Sequence, residues 1–197
     1  MKQQGIPINL EVLKWAMSSA GYTRETEVHE FPKFNDWELG ISFPTYSQLE
    51  KLAQRYKRPV ALFFFPEPPA ETPIEKDLRS LTSEDLIHLT PKVRHLFRKA
   101  KSFQLSLQEL YAGKITEQKN KLTWLKIQFS ESIPTLAGKI RGLLGANTAE
   151  IERLGSEDEA LEFWREKLYE KGIFVFKDAF KDNDVSGFCI YDEEFPI

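Results

Sequence analysis

The sequence predicts a mainly α protein with a small β part, and three observations carry that expectation. Apolar residues recur at three- and four-residue spacing behind good capping residues through most of the chain. One such stretch, 90–112, is long enough for a single helix of roughly 34 Å. Short apolar runs suited to strands come late, at Ile173 to Phe176 and Phe188 to Tyr191. Helices followed by the first strands of a sheet describe an N-terminal helical domain leading into an α+β domain.

Each element has its own justification. Asn9 is a good N-cap; Leu10, Leu13, Met17 and Ala20 form an apolar face behind it, and Gly21 sits where a helix stops. Thr23 caps a second helix whose apolar face is Val28 and Phe31, ended by Pro32. Between Phe34 and Glu38 there is room for a turn or two. Gly40 and Pro44 mark a loop. Thr45-Tyr46-Ser47-Gln48 is a capping box, in which hydroxyl and amide satisfy orphan N–H groups, with Leu49, Leu52, Ala53 and Tyr56 behind it. Pro59 closes that helix or starts another.

Thr90-Pro91 opens the long helix with a cap and an N1 proline, and Gly113 is its stop. Val93, Leu96, Ala100, Phe103, Leu107 and Leu110 form a heptad-like seam, broadened by Phe97 and Tyr111, which offers a route to a homodimer through 90–112. Arg94, Arg98 and Lys101 line one flank, a possible docking face for a phosphate or acidic partner; the alternative is a solvated rim on an intramolecular core. Lys114 to Lys121 is a polar loop, and Leu122 to Phe129 resumes an apolar pattern. Leu136, Ile140, Leu143 and Leu144 form a short helix face capped by Gly145. Ser156-Glu157-Asp158-Glu159 opens a helix through Leu161, Trp164 and Leu168 to Gly172. Phe188 to Ile197 then gives a strand, an acidic turn and the start of another strand, as in an N-terminal portion of a longer protein.

The 197 residues, 41% hydrophobic and 29% charged, are enough for one good core or two small ones. The longest apolar run, Pro59 to Pro66, is far short of the roughly 20 residues of a membrane span, and the N-terminus lacks a signal-peptide pattern. No membrane partner is expected, and a cytoplasmic location is the default. The single Cys189 precludes an internal disulfide and, between Phe188 and Ile190, suits a buried strand thiol. Net charge is −3 but uneven: 89–126 has nine Lys/Arg against two Glu, and 150–194 has six against fourteen acidic residues. That polarity fits a basic binding face, or two segments that pack together or are simply solvated.

The residues also resemble a family. Gly21-Tyr22-Thr23, Trp37-Glu38-Leu39-Gly40 and Pro44-Thr45 with Gln48 to Ala53 look like the helix-turn-helix of Xre-type regulators. Tyr56 to Pro69, with its Phe-Phe-Pro-Glu-Pro-Pro run, and Asp77-Leu78-Arg79-Ser80-Leu81 resemble the junction to an ImmA/IrrE-type metallopeptidase domain. Trp164-Arg165-Glu166, Gly172 to Phe176 and Gly187 to Ile197 are similar to the start of that domain. The resemblance implies three parts: a degenerate Xre-like helix-turn-helix domain at 1–66, a linker and long amphipathic helix at 67–130, and the beginning of an α+β, zincin-like domain at 131–197. It assigns structural roles to Trp37, Glu38, Gly40, Pro44 and Thr45. Arg24, Lys33 and Asn35 become the DNA-binding candidates.

Two departures qualify the likeness. The recognition-helix region is about a turn short, and Met1 to Phe65 has eight Lys/Arg against seven Asp/Glu, a weak footprint for phosphate neutralisation. Second, the family's zinc site rests on His-Glu-x-x-His, and this sequence has no such motif. Zinc is therefore expected only in a longer form. His88 and His95, seven apart with Pro91 between, cannot share an ion, and His29 reads as a solvated helix-face residue. Gly138, Gly142 and Gly145 lack the Gly-Lys-Ser/Thr ending of a phosphate loop, and Asp192-Glu193-Glu194 reads as solvated carboxylates.

Three functions follow. One is a transcription regulator of the Xre–ImmA/IrrE type whose full-length form is a zinc peptidase acting on a repressor or partner protein. The second is a non-enzymatic binding protein, such as the antitoxin of a toxin–antitoxin or phage-related system. The third is a DNA-binding autoregulator.

Overall fold

The computed structural model describes residues 5–71, 89–112, 131–182, 185–192 and 194–197. His88, Gly113, the segments 114–121 and 122–129 and the Asp77 to Leu81 motif lie outside the described residues. The chain is mainly helical, and its contacts divide it into two units: Met1–Arg98 with Phe180–Gly187, and Lys99–Ala179 with Phe188–Ile197. The division falls inside the long helix, so it differs from the three consecutive parts read from sequence.

The first unit opens with α1 (Leu10–Ser19), α2 (Arg24–Glu30), α3 (Phe34–Glu38) and α4 (Tyr46–Tyr56), followed by a 3-10 turn at Val60–Phe64. Asn9 caps α1 with its side-chain oxygen, which accepts from the Glu11 and Val12 amides at 2.9 and 3.3 Å. Its amide nitrogen donates to the Phe65 and Pro66 carbonyls at 2.9 and 2.7 Å. One side chain thus joins the start of the bundle to its end. Thr23 and Thr45 both build capping boxes, the first with Thr26 and the second with Gln48. The α4 helix ends at Lys57 in the left-handed conformation (φ 54°), a stop that sequence gives no glycine to announce.

Leu13, Ala16, Phe34, Trp37, Leu49, Leu52, Tyr56 and Phe63 fill the core of this unit, and none is more than 1% exposed. The spacing in α1 and α4 explains their membership, because i, i+3 and i+4 positions share a face. The surprise is in α2. Its fully buried residue is Glu27, while Val28 is only partly buried.

The long helix, α5 (Pro91–Tyr111), contributes its first eight residues to this unit and the remainder to the second. Its seam is buried at Val93, Leu96, Phe97 and Ala100 and opens to solvent at Leu110, which is 66% exposed.

The second unit also contains α6 (Ile133–Leu144), α7 (Thr148–Ile151) and α8 (Glu157–Glu170). Ser132, Asn147 and Ser156 cap them, and Gly145 in the left-handed region closes α6 as its sequence predicts. These helices bury little: Leu144 is the buried residue of α6, and α8 has none. The core is assembled instead from Phe174, Ile190 and Phe195. Tyr111 and Tyr169 pack on Phe174, with ring centroids 6.4 and 5.3 Å away, and share a hydroxyl–hydroxyl contact of 2.9 Å. Gln104, nearly buried, donates to the Phe195 carbonyl at 2.9 Å.

No segment among the described residues is a β-strand. Where the sequence places strands, three backbone hydrogen bonds among the described residues join one extended segment to another. Ile190 and Ile197 exchange N–H···O contacts of 2.7 and 3.1 Å, the exchange made by a hydrogen-bonded antiparallel pair. The Phe174 amide donates to the Pro196 carbonyl at 2.9 Å. The acidic turn is held by Asp192, whose carboxylate accepts from the Glu194 and Phe195 amides. Cys189, expected inside a strand, is exposed: its neighbour Ile190 takes the inward position.

Candidate functional site

The surface around α3, read from sequence as the recognition-helix region, begins with five residues, only about 7.5 Å of helix. Phe34 and Trp37 are spent on the core, where their ring centroids lie 6.3 Å apart and Trp37 also meets Phe31 at 5.8 Å. A helix this short that buries two of its residues has little left to present.

The three DNA-binding candidates are not brought together as a row of donors. Arg24 donates through Nε to Glu38 at 2.8 Å, so its charge is matched. Lys33 is exposed at the N-cap position of α3, where its side chain makes no capping contact. Asn35 is half-buried, and its Oδ1 is enclosed with no hydrogen-bond partner among the described residues. Of the three, Lys33 alone carries an exposed charge with no ion pair among the described residues.

Trp37, Glu38, Gly40, Pro44 and Thr45, the motif residues of the resemblance, make the following contacts. Trp37 is core, and Glu38 holds Arg24. Gly40 has φ +71°, a conformation glycine adopts freely, and an added Cβ would come within 3.2 Å of Leu10. Pro44 is buried and accepts the Ile6 amide at 2.8 Å; Thr45 caps α4. Around them lie large apolar side chains open to solvent: Leu39 at 65%, Ile41 at 71% and Tyr46 at 57% exposure. Sequence reasoning named Leu39 and Tyr46 only as members of motifs and did not name Ile41, because none of the three belongs to a periodic face.

Behind this face is a polar triad that sequence reasoning also missed. Glu27 accepts from Tyr56 Oη at 2.7 Å and from Arg55 Nε at 2.9 Å, tying α2 to α4. Arg55 lies over the Tyr22 ring, 4.2 Å from its centroid. Burial, reinforced by the Glu27 carboxylate, pushes the Tyr56 hydroxyl well above the usual tyrosine range. Burial works against the charged form of Arg55, yet the Glu27 hydrogen bond and charge outweigh it and raise its pKa. The available signal was the four-residue step from Glu27 to Phe31, but a glutamate there reads as polar until its partner from α4 is known.

The basic flank of α5 divides. Arg98 is turned inward and donates to the Ser19 and Tyr56 carbonyls at 3.2 and 3.0 Å, the last residues of α1 and α4. It therefore satisfies two helix C-termini, whose free carbonyls and dipole favour a cation. Burial, followed by the nearby Arg58 charge, lowers its pKa to about 10. Arg94 donates to the Leu89 carbonyl at 3.2 Å, and Lys101 to Gln104 Oε1 at 3.0 Å. The spacing places these residues on one side of a helix but cannot show which neighbours claim them.

For zinc, the fit is poor. The sequence has no His-Glu-x-x-His, and among the described residues no three His, Cys, Asp or Glu side chains gather as ligands. His29 is exposed, on the solvent side of α2. No catalytic step is assigned through a metal. No helix among the described residues is long and apolar enough to cross a membrane. Compared with family models, with curated proteins and with solved structures, the chain gives no match.

Proposed function

We propose that this chain is the targeting portion of a transcription regulator of the Xre–ImmA/IrrE type, in which a degenerate helix-turn-helix unit and a long helix precede an α+β, zincin-like domain. The observation that supports it most is the behaviour of the motif residues. Trp37, Glu38, Gly40, Pro44 and Thr45 each have a structural task in the bundle, as that resemblance requires. The paired Ile190 and Ile197 fit the first turn of a small sheet. Zinc and peptidase chemistry would belong to a longer form with its own His-Glu-x-x-His, acting on a repressor or other partner protein.

A second reading, a non-enzymatic protein-binding regulator of the antitoxin kind, is favoured by one specific observation. The face that would meet DNA carries Leu39, Ile41 and Tyr46 in the open, while Arg24 is already paired. A gel shift with the protein's own promoter, run as a salt series, separates the two. For a DNA-binding regulator, affinity falls steeply with salt and Lys33→Ala weakens it about tenfold. No retardation at low salt, or binding unchanged in Lys33→Ala, sinks the DNA reading and leaves the protein-binding one.

A further inference from the structure

Among its described residues the first unit leaves five large apolar side chains open: Leu39 and Ile41 after α3, Tyr46 at the start of α4, and Phe64 and Phe65 at the end of the 3-10 turn. They are distant in sequence, and a short series of contacts joins the places where they stand. Asn9 holds the Phe65 and Pro66 carbonyls through its amide nitrogen. The next residue, Leu10, lies against Gly40, where an added Cβ would come within 3.2 Å of Leu10 Cδ1. Gly40 in turn stands between Leu39 and Ile41. The Ile6 amide donates to the Pro44 carbonyl at 2.8 Å, two residues before Tyr46. The five therefore border one apolar face, which is a different matter from apolar residues scattered singly over a surface.

The backbone under this face is held. The Ile41 and Ser42 amides both donate to the Asp36 carbonyl, at 2.9 and 3.3 Å, and the Phe65 amide donates to the Leu62 carbonyl at 3.0 Å. Side chains on a fixed backbone have less freedom to lose when a partner covers them, and aromatic ones make the best anchors.

Charge selects the occupant. Three exposed carboxylates stand beside the face: Glu11 next to Leu10, Glu50 one turn of α4 beyond Tyr46, and Glu67 after Pro66. None of them has an ion pair among the described residues. Against them stands Lys14, one turn of α1 beyond Leu10. Arg24 is matched by Glu38, Lys33 lies at the opposite end of α3 from Leu39, and Lys51 is about 140° around α4 from Tyr46. An acidic border repels a phosphate backbone. In a second copy of the chain it would lay carboxylates on carboxylates. It complements a protein surface whose apolar centre is bordered by basic residues.

We infer that this face docks a partner protein that offers apolar side chains bordered by lysine or arginine, and that neither nucleic acid nor a second copy of this chain is its occupant. The inference rests on the protein-binding reading above and gives that partner a charge.

The test titrates the whole chain, by calorimetry at low salt, with two short amphipathic model helices of equal apolar content, one of leucine and lysine and the other of leucine and glutamate. The lysine helix is expected to bind saturably and the glutamate helix about tenfold more weakly. Leu39→Ser with Ile41→Ser, and separately Phe64→Ser with Phe65→Ser, should each weaken the lysine helix about tenfold, while Leu105→Ser, an exposed position of the second unit, leaves it unchanged. All are surface changes, and an unaltered unfolding midpoint shows that each variant is folded. A preference for the glutamate helix would overturn the charge assigned to the partner and leave the protein-binding reading standing. Binding of neither helix, or binding indifferent to both pairs of substitutions, would remove this face as a docking surface. A dimer seen by light scattering that Leu39→Ser with Ile41→Ser turns into a monomer would give the face to a second copy and overturn the inference.

Discussion

The two units reach stability by different means. In the first, capped helices pack a tight aliphatic and aromatic core, and a buried carboxylate is matched by Arg55 and Tyr56. In the second, α6 and α8 bury almost nothing, and the core is a cluster of aromatic rings from α5, α8 and the extended segments. The lesson is that helical content and core location are separate matters. A helix-rich unit can be held by the parts that are not helical.

The largest expected effect breaks the second unit at its centre. Phe174 touches Tyr111, Tyr169 and Phe195, so Phe174→Ala should cost about 3–5 kcal/mol by chemical denaturation. A loss below 1 kcal/mol would mean that the aromatic cluster is not what holds this unit. Next is Glu27→Ala, which leaves the Tyr56 hydroxyl and Arg55 without their shared acceptor; a loss of about 3 kcal/mol is expected. Arg55 is 26% exposed and can turn to water, which places this change below the first.

The smallest effect sharpens the comparison through pH. The Tyr56 pKa is raised in the folded protein, first by burial and then by Glu27. The folded state keeps the proton while an unfolded tyrosine releases it near pH 10, so this contribution is complete below about pH 10 and is lost as pH rises further. Tyr56→Phe should cost about 1.5 kcal/mol at neutral pH and flatten the stability curve above pH 10. An alkaline limb identical in the variant would show that Tyr56 does not govern it.

How much of this was legible depended on where the information sits. Caps are local, so Asn9, Thr23 and Thr45 announce their helices, as does Gly145 at the end of α6. The long helix was legible from Thr90-Pro91 and its spacing. Glu27 and Arg98 were not, because a charged side chain is polar in any pattern until a distant residue supplies its partner. Arg98 finds its partners 79 and 42 positions away in sequence. Leu39, Ile41 and Tyr46 fail for the opposite reason: apolar residues at helix ends and in the loop between them give no sign that they stay in solvent. The short runs at Ile173 to Phe176 and Phe188 to Tyr191 read as strands, but a strand needs a neighbour along its length. Here that pairing comes down to a few contacts with the Pro196–Ile197 end.

Asn9 has a topological consequence. Its amide nitrogen reaches the carbonyls of Phe65 and Pro66, and its backbone amide donates to Phe63 at 2.9 Å. The two ends of the helical bundle therefore meet at one residue, and the path from Asn9 to Pro66 is a ring closed by a single clasp. In such a ring the order in which the gene presents the helices is incidental. A nick at the exposed Leu39–Ile41 loop would leave the two halves of that path held together at Asn9.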